Sequence, residues 1–347
     1  MAKVVTVVSP KADQADRTQS YAKTNARAGS KFNINNALNI IGYISSLATS
    51  YLGAIGGWFG GISNAELSSK YQTLITPNAK YFGIWAAIFL FQGFFVVAQL
   101  LPKYRGHPLV QRGVGPVYFF ACLAQTAWTI TFGYQIMEAA FVSMVVLFLT
   151  LLYLLNRQWK VVAEEEKKTR TAIRLGETTE EEAVEDLTAR PPRLSYWLLR
   201  FPFAIHSGWI AVATPLMFSV LLVYLNVDPT YELWAATISL PLLFGGCMGL
   251  LLKEESGAPS YAFPAVVAYA CLGICWELQA PSYGILARHD EATINLMKNL
   301  SGFCAVCLLV VMISRFFALL MRDQCMKWKK KEDVLEIDGV EYPYVQA

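Results

Sequence analysis

Trp85, Gln92 and Gln99 recur at intervals of seven in an uncharged stretch, YFGIWAAIFLFQGFFVVAQLL, that runs from Tyr81 to Leu101. On a helix this spacing keeps three side chains on roughly one face, drifting about 20° per heptad. Indoles and amides donate and accept hydrogen bonds but supply neither nucleophile nor base, so such a face suits binding and not catalysis. Similar faces recur downstream. Gln125, Trp128, Phe132 and Gln135 follow one another at helical spacing, His206 stands three residues before Trp209, with Thr214 further on, and Trp276, Glu277 and Gln279 end another apolar run. Polar and ionisable groups at bilayer depth are costly and face a bundle interior or a wet cavity. Four such faces converging predict a pocket with aromatic walls and a few polar hooks. Trp85, Phe89, Trp128 and Trp209 are the candidate walls. Gln92, Gln125, His206 and Glu277 are the candidate hooks.

Each of these residues also has a plainer role. Gln92, Gln99 and Gln125 serve equally well as hydrogen-bonding glue between helices. His206 reads as a haem or metal ligand or as a satisfied interior residue. Trp58, Trp159, Trp197, Trp234 and Trp328 fall near span ends, where tryptophan forms an interfacial belt. No P-loop, GxSxG or HExxH motif is present, and no lysine sits in mid-span for a Schiff base, so the expectation is a protein without catalytic residues.

The elements that must position these faces are membrane helices. The chain of 347 residues is 55% hydrophobic and only 16% charged, with a mean hydropathy of +0.37, whereas soluble domains carry about 25% charge. The deficit is concentrated in apolar runs long enough to cross a hydrocarbon core of about 30 Å. About eight spans are expected, roughly at 36–58, 79–101, 115–137, 139–157, 195–225, 231–252, 261–284 and 295–321. The first, rich in Gly, Ser and Asn, is the least apolar; the fifth is over-long and starts in the interface. The fold class is an all-α polytopic bundle.

Charge orients that bundle. With cytoplasmic N- and C-termini, most Lys and Arg fall in inner segments, and only Lys70, Lys80, Arg288 and Lys298 in outer ones, as the positive-inside rule requires. The predicted organisation is a basic, disordered tail (1–34), four spans (35–157), a charged cytoplasmic helical loop (158–194), four further spans (195–321), and a basic juxtamembrane segment with a hairpin tail (322–347). The first 32 residues lack the apolar core of a signal peptide. In the loop, Glu164–Lys168 and Glu166–Arg170 are i,i+4 pairs, Gly176 ends a helix, Thr178 with Glu181 or Thr179 with Glu182 opens another, and Pro191–Pro192 stop it. The tail VLEIDGVEYPYV alternates around Asp338–Gly339, a hairpin signal.

Expected partners are the bilayer itself, anionic lipid at Lys327 to Lys331, a protein docked on 158–194, and a second copy of the chain in a homodimer; a net charge of +3 with juxtamembrane basic residues gives no reason to expect nucleic acid. Six of the seven cysteines, Cys122, Cys247, Cys271, Cys275, Cys304 and Cys307, lie inside spans. They read as small apolar packing, with soft-metal binding open only if their faces meet.

Two blocks carry a family likeness. SSKYQTLITPNAKYFGIWAAIFLFQGFFVVAQ resembles the S-x-x-Y-x-x-L-x-T-P-x-x-x-x-F-x-I-W-x-x-I-[FY] signature of the TspO/MBR family, the translocator or tryptophan-rich sensory proteins, in its longer multi-span branch. FPFAIHSGWIAVAT resembles that branch's P-F-S-I-Y-x-G-W-I-x-V-A-T, with His206 where Tyr is usual. A third segment, QTAWTITFGYQ, is similar to an N-x-x-W-I block, with Gln125 in place of Asn. The likeness spans roughly 63–225, more loosely 261–312. Compact members have five helices, so it implies a shared helical core here. Compact members are similar in binding tetrapyrroles and sterols in an aromatic-lined cavity; the likeness implies the core and not a shared ligand, leaving a tetrapyrrole or sterol as a candidate and no certain cofactor. The functional expectation is an integral membrane protein that binds, and transports or senses, a hydrophobic or tetrapyrrole-like molecule. The alternatives are a non-enzymatic subunit or assembly factor of a membrane complex, and a secondary transporter.

Overall fold

Every apolar run predicted to cross the bilayer folds as a helix in the computed structural model, which describes residues 31–174, 194–252 and 260–337. In chain order these are α1 (Ile34–Ile55), the short α2 (Asn64–Lys70), α3 (Ile84–Ala98), the short α4 (Pro102–Arg105), α5 (Val117–Gly133), α6 (Met137–Arg174), the short α7 (Leu194–Leu199), α8 (Phe201–Tyr224), α9 (Pro229–Leu252), α10 (Ala262–Glu277), the short α11 (Tyr283–Leu286) and α12 (Glu291–Ile337). Six apolar helical stretches are long enough to cross a membrane; α5 and α10 are shorter apolar helices between them. The chain is an all-α, multi-pass integral membrane protein with no strand among the described residues.

Helix α8 is the hub. Every residue from Pro202 to Ala213 is buried, because α8 packs on α6, α10, α9 and α3. A helix apolar on all sides needs such surroundings. Around it, α1, α5 and α6 pack together on one side, and α9, α10 and α12 on the other. Outward residues such as Leu242, Ile238 and Phe303 are exposed and apolar, as suits contact with lipid tails. Polar side chains turn inward instead: Asn36, Asn39, Gln92, Gln99, Gln125, Thr129 and His206 are all buried. Lipid is as apolar as leucine, so association here rests on packing and interhelical hydrogen bonds.

Several expectations are refined. The second span is not one continuous α-helix: a 3₁₀ turn over Ala79–Gly83 precedes a 15-residue α3. The fifth span divides into α7 and α8 at Arg200. The fourth span does continue into the charged loop, as far as Arg174, but the pairing differs. Lys168 bonds Glu165 (2.8 Å), three residues back, while Glu164 bonds Arg112 across the bundle (2.8 Å). The π-helical turn Leu109–Val114 presents Arg112 to both Glu164 and Glu165, so interhelical pairing displaces the local Glu164–Lys168 pair. Gly176, the Thr178 and Thr179 capping signals and Pro191–Pro192 lie outside the described residues. In the tail, α12 stays helical to Ile337, so Val334–Ile337, expected as the first hairpin strand, are helix instead; residues 338–347 lie outside the described residues. The backbone of Lys327 to Lys331 belongs to α12.

Candidate functional site

Trp85 is the centre of an aromatic box. Its ring lies 5.8 Å from Phe89, 6.4 Å from Trp128 and 6.4 Å from Trp209, centroid to centroid. The imidazole of His206 meets it edge-on at 5.8 Å. Phe132 stacks on Trp128 at 5.4 Å, and Phe82 meets Trp209 edge-on at 5.5 Å. Helical repeats produce this grouping. Trp85 and Phe89 are i,i+4 on α3, Trp128 and Phe132 are i,i+4 on α5, and His206 and Trp209 are i,i+3 on α8, so each helix offers one pair to a common space. Edge-to-face and offset ring pairs contribute about 0.5–1.5 kcal/mol each beyond their burial.

Below the rings, toward the end where α1 begins, runs a line of hydrogen bonds. Tyr118 donates its hydroxyl to Gln92 Oε1 (3.1 Å), and Gln92 Nε2 donates to His206 Nδ1 (2.8 Å). Both ends of the Gln92 amide are therefore satisfied and hold the imidazole in one orientation. The far nitrogen, His206 Nε2, is buried with no hydrogen-bond partner; so are Trp128 Nε1 and Gln125 Oε1. A buried polar atom without a partner costs about 1–3 kcal/mol, so at each of the three a further hydrogen bond would be favourable.

Not every expected residue reaches the box. Gln99 ends α3 at the opposite end from Trp85, where its Oε1 accepts from Asn36 Nδ2 (3.4 Å) and Asn39 Nδ2 (3.1 Å). It is interhelical glue. Gln135 lies beyond the end of α5, with a φ of 57°, and accepts from Lys70 (2.7 Å) and Tyr71 (2.8 Å). Glu277, the last residue of α10, accepts from Asn78 Nδ2 (2.9 Å) and so pins the 3₁₀ turn ahead of Trp85 without entering the ring cluster. Thr214 spends its hydroxyl on the Ile210 carbonyl of its own helix (2.7 Å). Trp276, exposed, packs edge-on against Tyr81. The thiol-bearing faces of α9, α10 and α12 do meet, yet no group of His, Cys, Asp or Glu among the described residues is arranged to hold a metal ion.

Two features escape sequence reasoning. One is Tyr118, hidden as an ordinary aromatic in an apolar helix. The other is Glu232, in the first turn of α9 and 0% exposed. Its Oε1 accepts the Leu74 backbone N–H (2.9 Å); its Oε2 accepts from Arg288 Nε (3.3 Å) and His289 Nε2 (3.0 Å). Leu74 belongs to the loop Thr73–Pro77, itself folded by Thr73 N–H to Thr76 Oγ1 (3.0 Å), and this loop leads into Phe82 and Trp85. Glu232 thus clamps the approach to the box from the α9 side.

With this geometry in hand, the comparison with known families is decisive. A family model described as TSPO-like protein matches residues 36–314. The chain belongs to the TSPO-like protein family. That match takes in every helix of the bundle, α1 and α12 only in part, so the TSPO-like region includes the clamp at Glu232 as well as the box. No curated protein and no solved structure matches the chain significantly.

Proposed function

We propose that this TSPO-like chain binds, and moves or senses, a hydrophobic or tetrapyrrole-like small molecule in the aromatic box, without catalysing a reaction on it. One observation carries the reading: three buried polar atoms without partners, His206 Nε2, Trp128 Nε1 and Gln125 Oε1, lie on the two helices, α5 and α8, that bring their rings to Trp85. The rings supply flat contact area, and the open atoms reward a ligand with hydrogen-bonding groups at its rim. Glu277 and Glu232 act at one remove by holding the segments that lead into Trp85. The bundle sits with both termini in the cytoplasm, and Lys327 to Lys331 rest against anionic lipid.

The test is quenching of tryptophan fluorescence in the detergent-purified protein by protoporphyrin, haem and a sterol. Saturable quenching that weakens about tenfold in His206→Phe, the value of roughly one hydrogen bond, supports the reading. Quenching that rises linearly, as in detergent alone, ends it. A second reading, a subunit or assembly factor of a membrane complex, is favoured by the extension of α6 as a charged helix to Arg174; gentle solubilisation and native mass spectrometry would then recover a constant protein partner.

A further inference from the structure

Of the rings in the box, only the imidazole of His206 has a polarity that its surroundings must set. A neutral imidazole carries its hydrogen on either ring nitrogen, and the partner of one nitrogen decides what the other offers. Here the decision starts at Tyr118, which is 0% exposed. Its hydroxyl has two neighbours, Gln92 Oε1 at 3.1 Å and the Cys122 thiol. A thiol is a weak acceptor and an amide oxygen a strong one, so the hydroxyl hydrogen goes to Gln92. The amide is thereby oriented, with Nε2 facing His206 Nδ1 at 2.8 Å. Nδ1 is then the bare nitrogen, and the ring hydrogen sits on Nε2.

That Nε2–H is buried without a hydrogen-bond partner, and so is the indole N–H of Trp128. The two rings reach Trp85 from different helices, the imidazole edge-on at 5.8 Å and the indole stacked at 6.4 Å. Both groups only donate. His206 is 4% exposed, so bulk water does not relieve it. An acceptor does, and an uncharged oxygen on an apolar body reaches this depth without the cost of taking a charge out of water. A tyrosine, usual at this position in the resembling block, donates or accepts; an imidazole held by Gln92 only donates. The same hydrogen removes the lone pair that iron would need, so His206 in this arrangement is no haem ligand.

We propose that His206 and Trp128 select, among hydrophobic molecules, those carrying an uncharged oxygen acceptor at one edge: a ketone, ester or amide carbonyl. The proposal rests on the ligand reading above and narrows it, because the guest needs an acceptor and needs no metal centre. Gln92 and Tyr118 are positioning residues that act through the imidazole.

Two measurements on the purified full chain test this. Nitrogen NMR of protein with isotope-labelled histidine, with His206→Phe identifying the signals of residue 206, is expected to show Nε2 protonated and Nδ1 bare. A hydrogen on Nδ1 overturns the proposal. Equilibrium binding of tritiated cholestanone and cholestane then compares two guests of one skeleton, of which the ketone only accepts and the hydrocarbon does neither. The parent should bind the ketone about tenfold more tightly, the value of roughly one hydrogen bond. His206→Phe should bring the two affinities together, and Trp128→Phe, which keeps an aromatic ring and loses the N–H, should narrow the gap. Equal affinities in the parent overturn the proposal and leave the ligand reading standing. A bound ferric haem whose spectrum shows an axial imidazole in the parent and not in His206→Phe also overturns the proposal alone. No saturable binding of protoporphyrin or of either steroid ends both.

Discussion

Glu232 is the residue whose loss should be felt most. It is fully buried, and its partners Arg288 and His289 are 17% and 4% exposed in their side chains. Removing one member of a buried ion pair costs about 3–5 kcal/mol, because the other charge is left unpaired. Glu232→Ala should therefore lower the thermal midpoint of the purified protein strongly. Glu232→Gln should not rescue it, since the charge is gone and in either orientation the amide nitrogen would face at least one donor, the Leu74 N–H or the Arg288–His289 pair. At the surface, the sign of the pH dependence is set by three carboxylates. The Thr293 side chain and backbone N–H hold Asp290 below the usual range, Thr230 does the same for Asp228, and the Ser63 backbone and hydroxyl for Glu66. A depressed carboxyl stabilises the fold fully above its unfolded value and loses that contribution as pH falls through the folded one. The contribution of these three carboxylates should be lost as pH falls below about 4, and Asp290→Asn with Glu66→Gln should shallow the decline of the thermal midpoint there. A midpoint rising on acidification would contradict this.

At the scale of elements, the helices were legible and their mutual faces were not. About 20 uncharged apolar residues announce a span, and i,i+4 spacing announced the ring pairs of α3 and α5. What a face meets depends on tertiary crossing. Gln92 and Gln99 share a heptad register, yet one serves α5 and α8 and the other α1, because Gln99 already caps α3 where α1 crosses it. Glu232 stands in the first turn of α9, where an acidic residue is unremarkable; its partners stand 56 and 57 residues away and leave no local trace. Close helix approach is similarly silent in sequence and can be tested. A Cβ at Gly208 would lie 2.8 Å from the Phe263 carbonyl oxygen of α10 and 3.0 Å from Val266 Cβ, whereas one at Gly245 of α9 meets nothing within 4 Å. Gly208→Ala should cost about 1–3 kcal/mol by overpacking. Gly245→Ala should be neutral or stabilising by up to about 1 kcal/mol, the helix preference for Ala over Gly. Equal midpoints for the two variants would refute the α8–α10 contact.

For the whole molecule, the decisive quantity is the parity of the spans. Six helices are long and apolar enough to cross a membrane, and α5 and α10 are shorter apolar helices between them; if all eight cross, the even number returns the chain to the face on which it began. Ion pairing supports the same alternation. Arg112 before α5 meets Glu164 on the extension of α6, at the end where Asn33 ahead of α1 bonds Gln111 (2.8 Å). Glu232, Arg288 and Leu74 gather at the other end. The pairing follows from antiparallel neighbours, and a miscount by one would separate these partners by the thickness of a bilayer, about 30 Å. Epitope tags placed before residue 31 and after residue 337 should thus be reached by antibody from the same side of sealed, oriented vesicles. A tag at Gly57, in the turn after α1 where a side chain would meet nothing within 4 Å, should be reached only from the opposite side. Terminal tags on opposite faces would mean that either α5 or α10 fails to cross. The box would then lose the span that brings Trp128 to Trp85, or α8 would lose the partner that Gly208 touches.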